Sequence, residues 1–498
     1  MSYTGLPLLF AVPGRTLFWW VACSTPGFVA LAVAAYLAGE AWSGFPYFTS
    51  MSALMLGHGG LALLVSRGNL LWTFRYALVF LLVFGTAAVW AIFDGAVKVA
   101  PFGVEFQTAE NTRVLVHAGF LSLCGSLLGW VWALQRVPHP HSTPVLISPA
   151  TRSLLWADGG VLAAGFSAFY LYKSGGFLLG GFTYNSRLRD LGFVFGVFNI
   201  FHFIGIAMLL LAALRPERIK PGVVLFCVAT LVVGVLTGSR ADFLPQLFLL
   251  LMLLFNRPVN NALERRQFLR LTTWALAFTA FLYAGYVAAS LVALWRSGEG
   301  MLRAAEILFG SGDSRLFISS VYGHPMLYFE TGNMMLGGLY AAIVNVREGL
   351  TGMLWGQSYF DYLRISPPAF LGLPRPLGLE WSTFIDGARM AQGGIFEVAE
   401  AYWNFGFAGC FAVSFLLSGF FGWLLRRGMF GNNYFFLTWY IVFGLHSFRS
   451  IWYQNFSYFR LFTIMLLIYL AGRLFAHWYT TDRRIIPLPS PIHGSMSL

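Results

Sequence analysis

GGIFEVAEAYWNFGFAG, Gly393 to Gly409, is where a long polar stretch gives way to an apolar one. Upstream of its end, Arg296 to Glu400 is the only long polar excursion in a chain that otherwise reads as one membrane-length apolar run after another. Glu397 and Glu400 stand three residues apart, on one face if the run is helical. Carboxylates at the mouth of an apolar segment need a partner or a task.

The composition around this stretch excludes an ordinary soluble domain. Hydrophobic residues make up 58% and charged residues 10%, with 50 Phe and 17 Trp, which points to a polytopic membrane protein. The apolar runs are near ~20 residues and do not alternate, so helices rather than a barrel are expected to cross the bilayer. Cys23, Cys124, Cys227 and Cys410 all fall inside apolar runs with no CxxC spacing, which indicates neither disulfides nor zinc. The first hydrophobic run is long and lacks a small-residue cleavage site, so it is expected to stay as a span.

About twelve spans are expected, beginning near residues 17, 48, 70, 114, 153, 191, 222, 241, 271, 402, 434 and 461. They divide the chain into a membrane domain over 1–295 with spans one to nine, a long external loop over 296–400, and a second membrane portion over 401–498 with spans ten to twelve and a tail. The net charge of +12 is distributed rather than patched. Arg15, Arg67, Arg136 with Arg152, Arg215 to Lys220, Arg257 to Arg270, Arg426 with Arg427, and Arg483 with Arg484 fall in alternate short connections. This bias predicts that these connections and both termini are cytoplasmic, and that the basic excess serves the bilayer rather than nucleic acid.

The opposite connections are then external, including the short turn Thr237 to Arg240, TGSR, which places a charge at the membrane surface. Within the long loop, Ser366 to Trp381 is broken by prolines and is not expected to form one regular helix. Ala304 to Leu308 and Tyr340 to Val346 read as short interfacial helices, and the loop as a lid or wall over a lateral cavity.

The external face retains Arg187, Arg189, Arg240, Arg315, Arg364, Arg389, Arg449 and Arg460, nearly all arginine rather than lysine. A guanidinium fork binds phosphate or carboxylate through paired hydrogen bonds and keeps its proton, which suits an anionic ligand; snorkelling anchors are the plainer reading. His58, His117, His202 and His446 lie in apolar spans and are expected to be hydrogen-bonded core residues. His324, in GHPMLYFE, lies in the external loop nine residues after Arg315, where it can accept a proton or serve structure alone. HPH at His139 to His141 reads as a loop rather than a metal tract.

For Glu397 and Glu400 the plain reading is that they pair with arginines and pin the loop to the bundle. A catalytic reading requires one of them to face a polar cavity, with Asn404 a turn further along the same face. Tyr322, Tyr328, Trp355, Tyr359, Tyr362 and Trp381 are expected at the bilayer interface, and they also offer flat faces to sugar rings.

A GSR turn opening a mid-chain span, a long external loop late in the chain, and an exit reading EAYWNFGFAG together resemble the Wzy-type O-antigen polymerases. The exit matches E-x-Y-x-N-F-G at Glu400, Tyr402, Asn404, Phe405 and Gly406, while the Ser-Arg turn is shared with the related O-antigen ligases. Motif-level similarity is confined to about residues 185–245, 310–330 and 390–450.

The resemblance implies an all-α, GT-C-like glycosyltransferase of the bacterial inner membrane. It would act at the periplasmic face on undecaprenyl-diphosphate-linked oligosaccharide, without a metal or other cofactor. It implies that Arg187, Arg189, Arg240, Arg315, Arg389 and Arg449 bind the diphosphate, with Tyr402 and Asn404 at the substrate. Glu400, Glu397 or His324 would deprotonate the attacking sugar hydroxyl. It also implies a chain-length regulator of the Wzz type as a partner. An O-antigen ligase and a flippase or other transporter are the rival readings.

Overall fold

The computed structural model of the chain describes residues 15–39, 44–66, 69–95, 106–135, 149–173, 200–212, 318–319, 326–327, 330–349, 352–370, 396–431, 433–453 and 456–483, with isolated positions between 247 and 284. Its regular structure is helical, apart from a two-residue antiparallel pairing that sets Ile318 opposite Leu327 and Ser319 opposite Met326. The helices are α1 Arg15–Ala38, α2 Gly44–Ser66, α3 Leu70–Phe93, α4 Ala109–Leu134, α5 Pro149–Lys173 and α6 Ile200–Ala212. They continue with α7 Glu330–Arg347, α8 Gln357–Phe370, α9 Glu397–Phe430, α10 Tyr434–Tyr453 and α11 Phe456–Arg483.

Among the described residues six stretches are long and apolar enough to cross a membrane: Phe18–Ala38, Phe45–Ser66, Leu71–Phe93, Ala109–Leu134, Glu397–Met429 and Tyr458–His477. The chain is a membrane-embedded helical protein. The spans expected near 222, 241 and 271 lie wholly or largely outside the described residues. Caps fix two of the boundaries. The Asn69 side chain accepts from the Trp72 N–H at the start of α3, and Thr108 accepts from the Asn111 N–H at the start of α4. That second cap begins α4 five residues before the apolar run expected near 114, because a polar first turn is tolerated once its donors are met.

At the centre of the bundle stands α4, 94% of whose most apolar window is buried, so protein rather than lipid surrounds it. Against it α9 runs parallel, through matched small residues. Ser122 and Ser414 hydroxyls lie 2.6 Å apart, and Ser126 and Ser418 2.7 Å apart. Between them Gly125 and Gly129 face the Phe411 and Phe415 carbonyls so closely that no β-carbon would fit. This is the small-xxx-small packing by which membrane helices bring backbones together when apolar burial gives no drive against lipid. On another side α3 runs antiparallel, with Trp72 stacked on Trp130 at 5.3 Å and Val83 against Gly119.

Although assigned as one element, α9 is two. Gly406 has φ 62° and ψ −147°, a conformation essentially confined to glycine, and the chain reverses there. Cys410 Sγ lies 3.7 Å from the Val398 carbonyl, whereas twelve residues of straight helix would separate them by about 18 Å. Residues 397–405 therefore form a short leg folded back on a long leg, 407–430. The span expected near 402 is present, but as a straight helix it starts only at 407, because Gly406 in the Phe405–Gly406–Phe407 run supplies the one residue able to turn so sharply.

Two expectations for the loop also change. Residues 336–345 of α7 are buried without interruption, so Tyr340 to Val346 is not an interfacial helix, which would keep one face in water or headgroups. Instead Tyr340 shares a 2.7 Å hydrogen bond with Thr112 of α4, and Arg347 donates to Asn111 Oδ1 at 2.6 Å and pairs with Glu110. The backbone of α8 stays helical through Pro367 and Pro368 to Phe370; Ala304 to Leu308 lies outside the described residues.

Candidate functional site

The hairpin carries its two acidic residues to different surroundings. Glu397 begins the short leg inside the bundle, not at its mouth, and is 3% exposed. Arg75 of α3 donates from Nη2 to Glu397 Oε1 at 2.7 Å and from Nη1 to Ser418 Oγ at 3.0 Å, with its guanidinium carbon 6.0 Å from the Tyr458 ring. Ser418 in turn meets Ser126, so one chain of contacts ties α3, α4, α11 and both legs of the hairpin. Arg75 Nε and Glu397 Oε2 have no hydrogen-bond partner among the described residues. An ion pair so enclosed gains its worth from mutual dependence, since either charge alone would be stranded.

Glu400, one turn on, faces α8. Ser358 Oγ donates to its Oε1 at 2.8 Å, and Asn404 Nδ2 donates to Ser358 Oγ and to the Glu400 carbonyl, both at 2.8 Å. The Gly356 N–H completes Asn404 by donating to Oδ1 at 3.0 Å, so both amide donors and the carbonyl of this fully buried side chain are used. The Leu354 and Trp355 N–H groups donate to the carbonyls of Trp403 and Asn404, which would otherwise be open at the end of the short leg. Trp355 holds φ 48° to do so, and its ring is left 76% exposed.

This turn delivers α8 against the hairpin. Tyr359 stacks on Phe405 at 6.2 Å and on Phe459 of α11 at 6.0 Å. Tyr362 is buried and hydrogen-bonded to Glu400; burial first, then that carboxylate, holds its phenol well above the usual range. Asp361 is 5% exposed, and its carboxyl lies above its ordinary range because of burial, opposed only by Arg364 with Nη1 3.7 Å away. Asp361 Oδ2 has no hydrogen-bond partner among the described residues. Glu400, Ser358, Asn404, Tyr362 and Asp361 thus make one polar cluster where α8 meets the short leg.

Of the residues singled out in the sequence, Glu400 and Asn404 come together here, and Glu397 is engaged by Arg75. Tyr402 is buried on the other side of the short leg, edge-on to Phe407 at 5.5 Å. Arg187, Arg189, Arg240, Arg315, Arg389 and His324 lie outside the described residues, as does the side chain of Arg449, whose backbone belongs to α10. Among the core histidines, His58 Nδ1 lies 2.6 Å from the Tyr76 hydroxyl and His202 Nδ1 3.2 Å from the Ala163 carbonyl. His117 packs between Tyr36 and Phe407, each 4.7 Å away, and its Nδ1 has no hydrogen-bond partner among the described residues. Among the described residues no three His, Cys, Asp or Glu side chains gather as a metal site would require.

Arg75, Ser358 and Asp361 do not stand out from motif reading. Arg75 had a signal nonetheless: it is the one charge in LLWTFRYALVFLLVFGTAAVWAIF, and a charge within a span implies a partner. Comparison of the chain with known protein families, with characterised proteins and with solved structures gives no significant match.

Proposed function

We propose that this chain is a polymerase of O-antigen or a related surface polysaccharide. In this reading it spans the bacterial inner membrane about twelve times in a GT-C-like arrangement, with both termini cytoplasmic and the Glu400 cluster toward the periplasm. The growing glycan leaves undecaprenyl diphosphate and is joined to a hydroxyl of the next lipid-linked repeat unit. External arginines, among them Arg187, Arg189, Arg240, Arg315, Arg389 and Arg449, hold the diphosphate and take up the charge that develops on it, the role a metal ion fills elsewhere. The Glu400 cluster receives the acceptor hydroxyl and its proton. Glu397 is committed to Arg75 and fixes the hairpin.

The observation that carries this reading is the enclosure of Glu400 and Asn404 of the exit motif with Ser358 of the loop helix α8 at one joint. The test is the banding of surface polysaccharide from cells lacking the chain. Polymerase loss leaves lipopolysaccharide capped with single repeat units, restored by wild type and not by Arg240→Ala or Glu400→Gln. Bare core would instead indicate a ligase, and an unchanged ladder would exclude both.

A transporter of the lipid-linked unit is favoured by one feature, the helix broken at Gly406 with a buried ion pair at the far end of its short leg, since broken helices also serve alternating access. In that case the lipid-linked unit would accumulate on the cytoplasmic leaflet of the deleted strain. A polymerase leaves it on the outer leaflet.

A further inference from the structure

We propose that Asp361, rather than Glu397 or Glu400, is the general base that deprotonates the acceptor sugar, with Glu400 as the residue that positions it. The inference rests on the polymerase reading and names the group doing its proton transfer. Three observations lead to it.

A base needs an oxygen with nothing already donating to it. Glu397 Oε2 also has no donor among the described residues, but Arg75 donates to Oε1 at 2.7 Å, and a cation so close makes the whole carboxylate a poor proton acceptor. Glu400 Oε1 already accepts from Ser358, and Glu400 is also hydrogen-bonded to Tyr362. Asp361 differs in its cation: Oδ2 is buried with no donor among the described residues, and the nearest cation among them, Arg364, lies 3.7 Å from the other oxygen on an arm that is 54% exposed.

Leaving a buried carboxylate oxygen unpartnered is costly, and folded proteins rarely do so without a use for it. The geometry around it is also rigid where rigidity would matter. Ser358, Asp361 and Tyr362 lie on neighbouring turns of α8, and the Glu400–Ser358 and Glu400–Tyr362 hydrogen bonds fix that face of α8 against the short leg. Tyr359, stacked between Phe405 and Phe459, closes the side. The carboxylate is therefore positioned by its helix with little solvent contact of its own, and its proton affinity is raised by burial, which brings it nearer to that of a hydroxyl being deprotonated in a transition state.

The step balances without a further reactant. The acceptor hydroxyl proton passes to Asp361 Oδ2 as its oxygen forms the bond to the anomeric carbon of the donor. The bond from that carbon to the diphosphate oxygen breaks, and its electron pair leaves with the lipid diphosphate. Asp361 then returns the proton to water.

The experiment is complementation of the deleted strain with wild type, Asp361→Asn and Asp361→Glu, reading the polysaccharide ladder against the amount of protein in the membrane. Asp361→Asn keeps shape and removes a buried charge, so it should accumulate normally while polymerised units fall at least ~100-fold, the usual worth of a general base. Asp361→Glu keeps the carboxylate and should restore a shortened ladder. A full ladder from Asp361→Asn would overturn the assignment, as would equal loss in both variants with normal accumulation. An unchanged ladder in the deleted strain itself would overturn the polymerase reading, and the assignment with it.

Discussion

Arg75 Nη2 donates to Glu397 Oε1 across 2.7 Å between side chains that are 5% and 3% exposed, joining α3 to the first residue of the short leg. The two are 322 residues apart in the chain, yet each is the other's only close opposite charge among the described residues. Removing one strands the other. Arg75→Ala or Glu397→Ala should each cost about 3–5 kcal/mol, while Arg75→Met combined with Glu397→Met should cost much less than the sum. Thermal unfolding of the purified protein in detergent, run on both single variants and the double, measures this. Additive losses would mean that the two residues act separately.

Gly406 governs where the short leg points. Its φ of 62° with ψ of −147° excludes a β-carbon at low cost, so Gly406→Ala should lose about 1–3 kcal/mol of stability. The loss should also reach function, since Asn404 and Glu400 stand two and six residues before the turn. We expect Gly406→Ala to shorten the polysaccharide ladder, and Gly406→Val to abolish it. A wild-type ladder from Gly406→Val would show that the reversal is dispensable.

These two relationships also mark how far the sequence could be read. Helical membrane character follows from the apolar runs alone, and so do the helices at 70–93 and 109–134, expected near 70 and 114, whereas the caps that set their first residues are seen only in the structure. The exit motif was legible as important, but not as a hairpin. Glycine is common in membrane helices as packing space, so FGF gives no local sign of whether the backbone turns or continues. Glu397 and Glu400 were legible as paired carboxylates, whereas their partners Arg75 and Ser358 come from distant elements that only the fold brings near. The burial of α7 was hidden for a related reason: the polar residues at its two ends suit an interface, and only the fold shows that α4, through Thr112 and Asn111, covers the apolar middle.

Packing between α4 and the long leg sets a third expectation. Gly129 faces the Phe415 carbonyl with no room for a β-carbon, so Gly129→Leu must push the helices apart and separate Ser126 from Ser418. Gly129→Leu should therefore lower the yield of monodisperse protein in detergent sharply, as overpacking does. Ser126→Ala and Ser418→Ala should behave mildly, with a coupling of about 0.6 kcal/mol in a double-mutant cycle, the average for such bonds in a membrane. Ser418 should cost more than Ser126 on its own, because it also receives Arg75 Nη1. Equal costs would indicate that this second bond adds nothing.

Asp361 yields a pH dependence whose sign is fixed by burial. Its carboxyl lies above the ordinary range in the folded protein, so the fold favours the protonated form. The groups facing it are Arg364 on its own helix, which opposes the shift, and Tyr362, itself raised by Glu400 and by Asp361. For stability, this contribution is fully present below the unfolded carboxyl's pKa and is lost as pH rises through the folded one. Asp361→Asn should then be at least as stable as wild type at neutral pH, with the difference shrinking on acidification. For activity the sign reverses, since a base must be deprotonated to act. Polymer formation by membranes at fixed lipid-linked substrate should fall as pH drops through the raised pKa, above the ~3.9 of a free aspartate. Asp361→Glu should move that limb, whereas a ladder lost at the same pH in both proteins would trace the limb to another group.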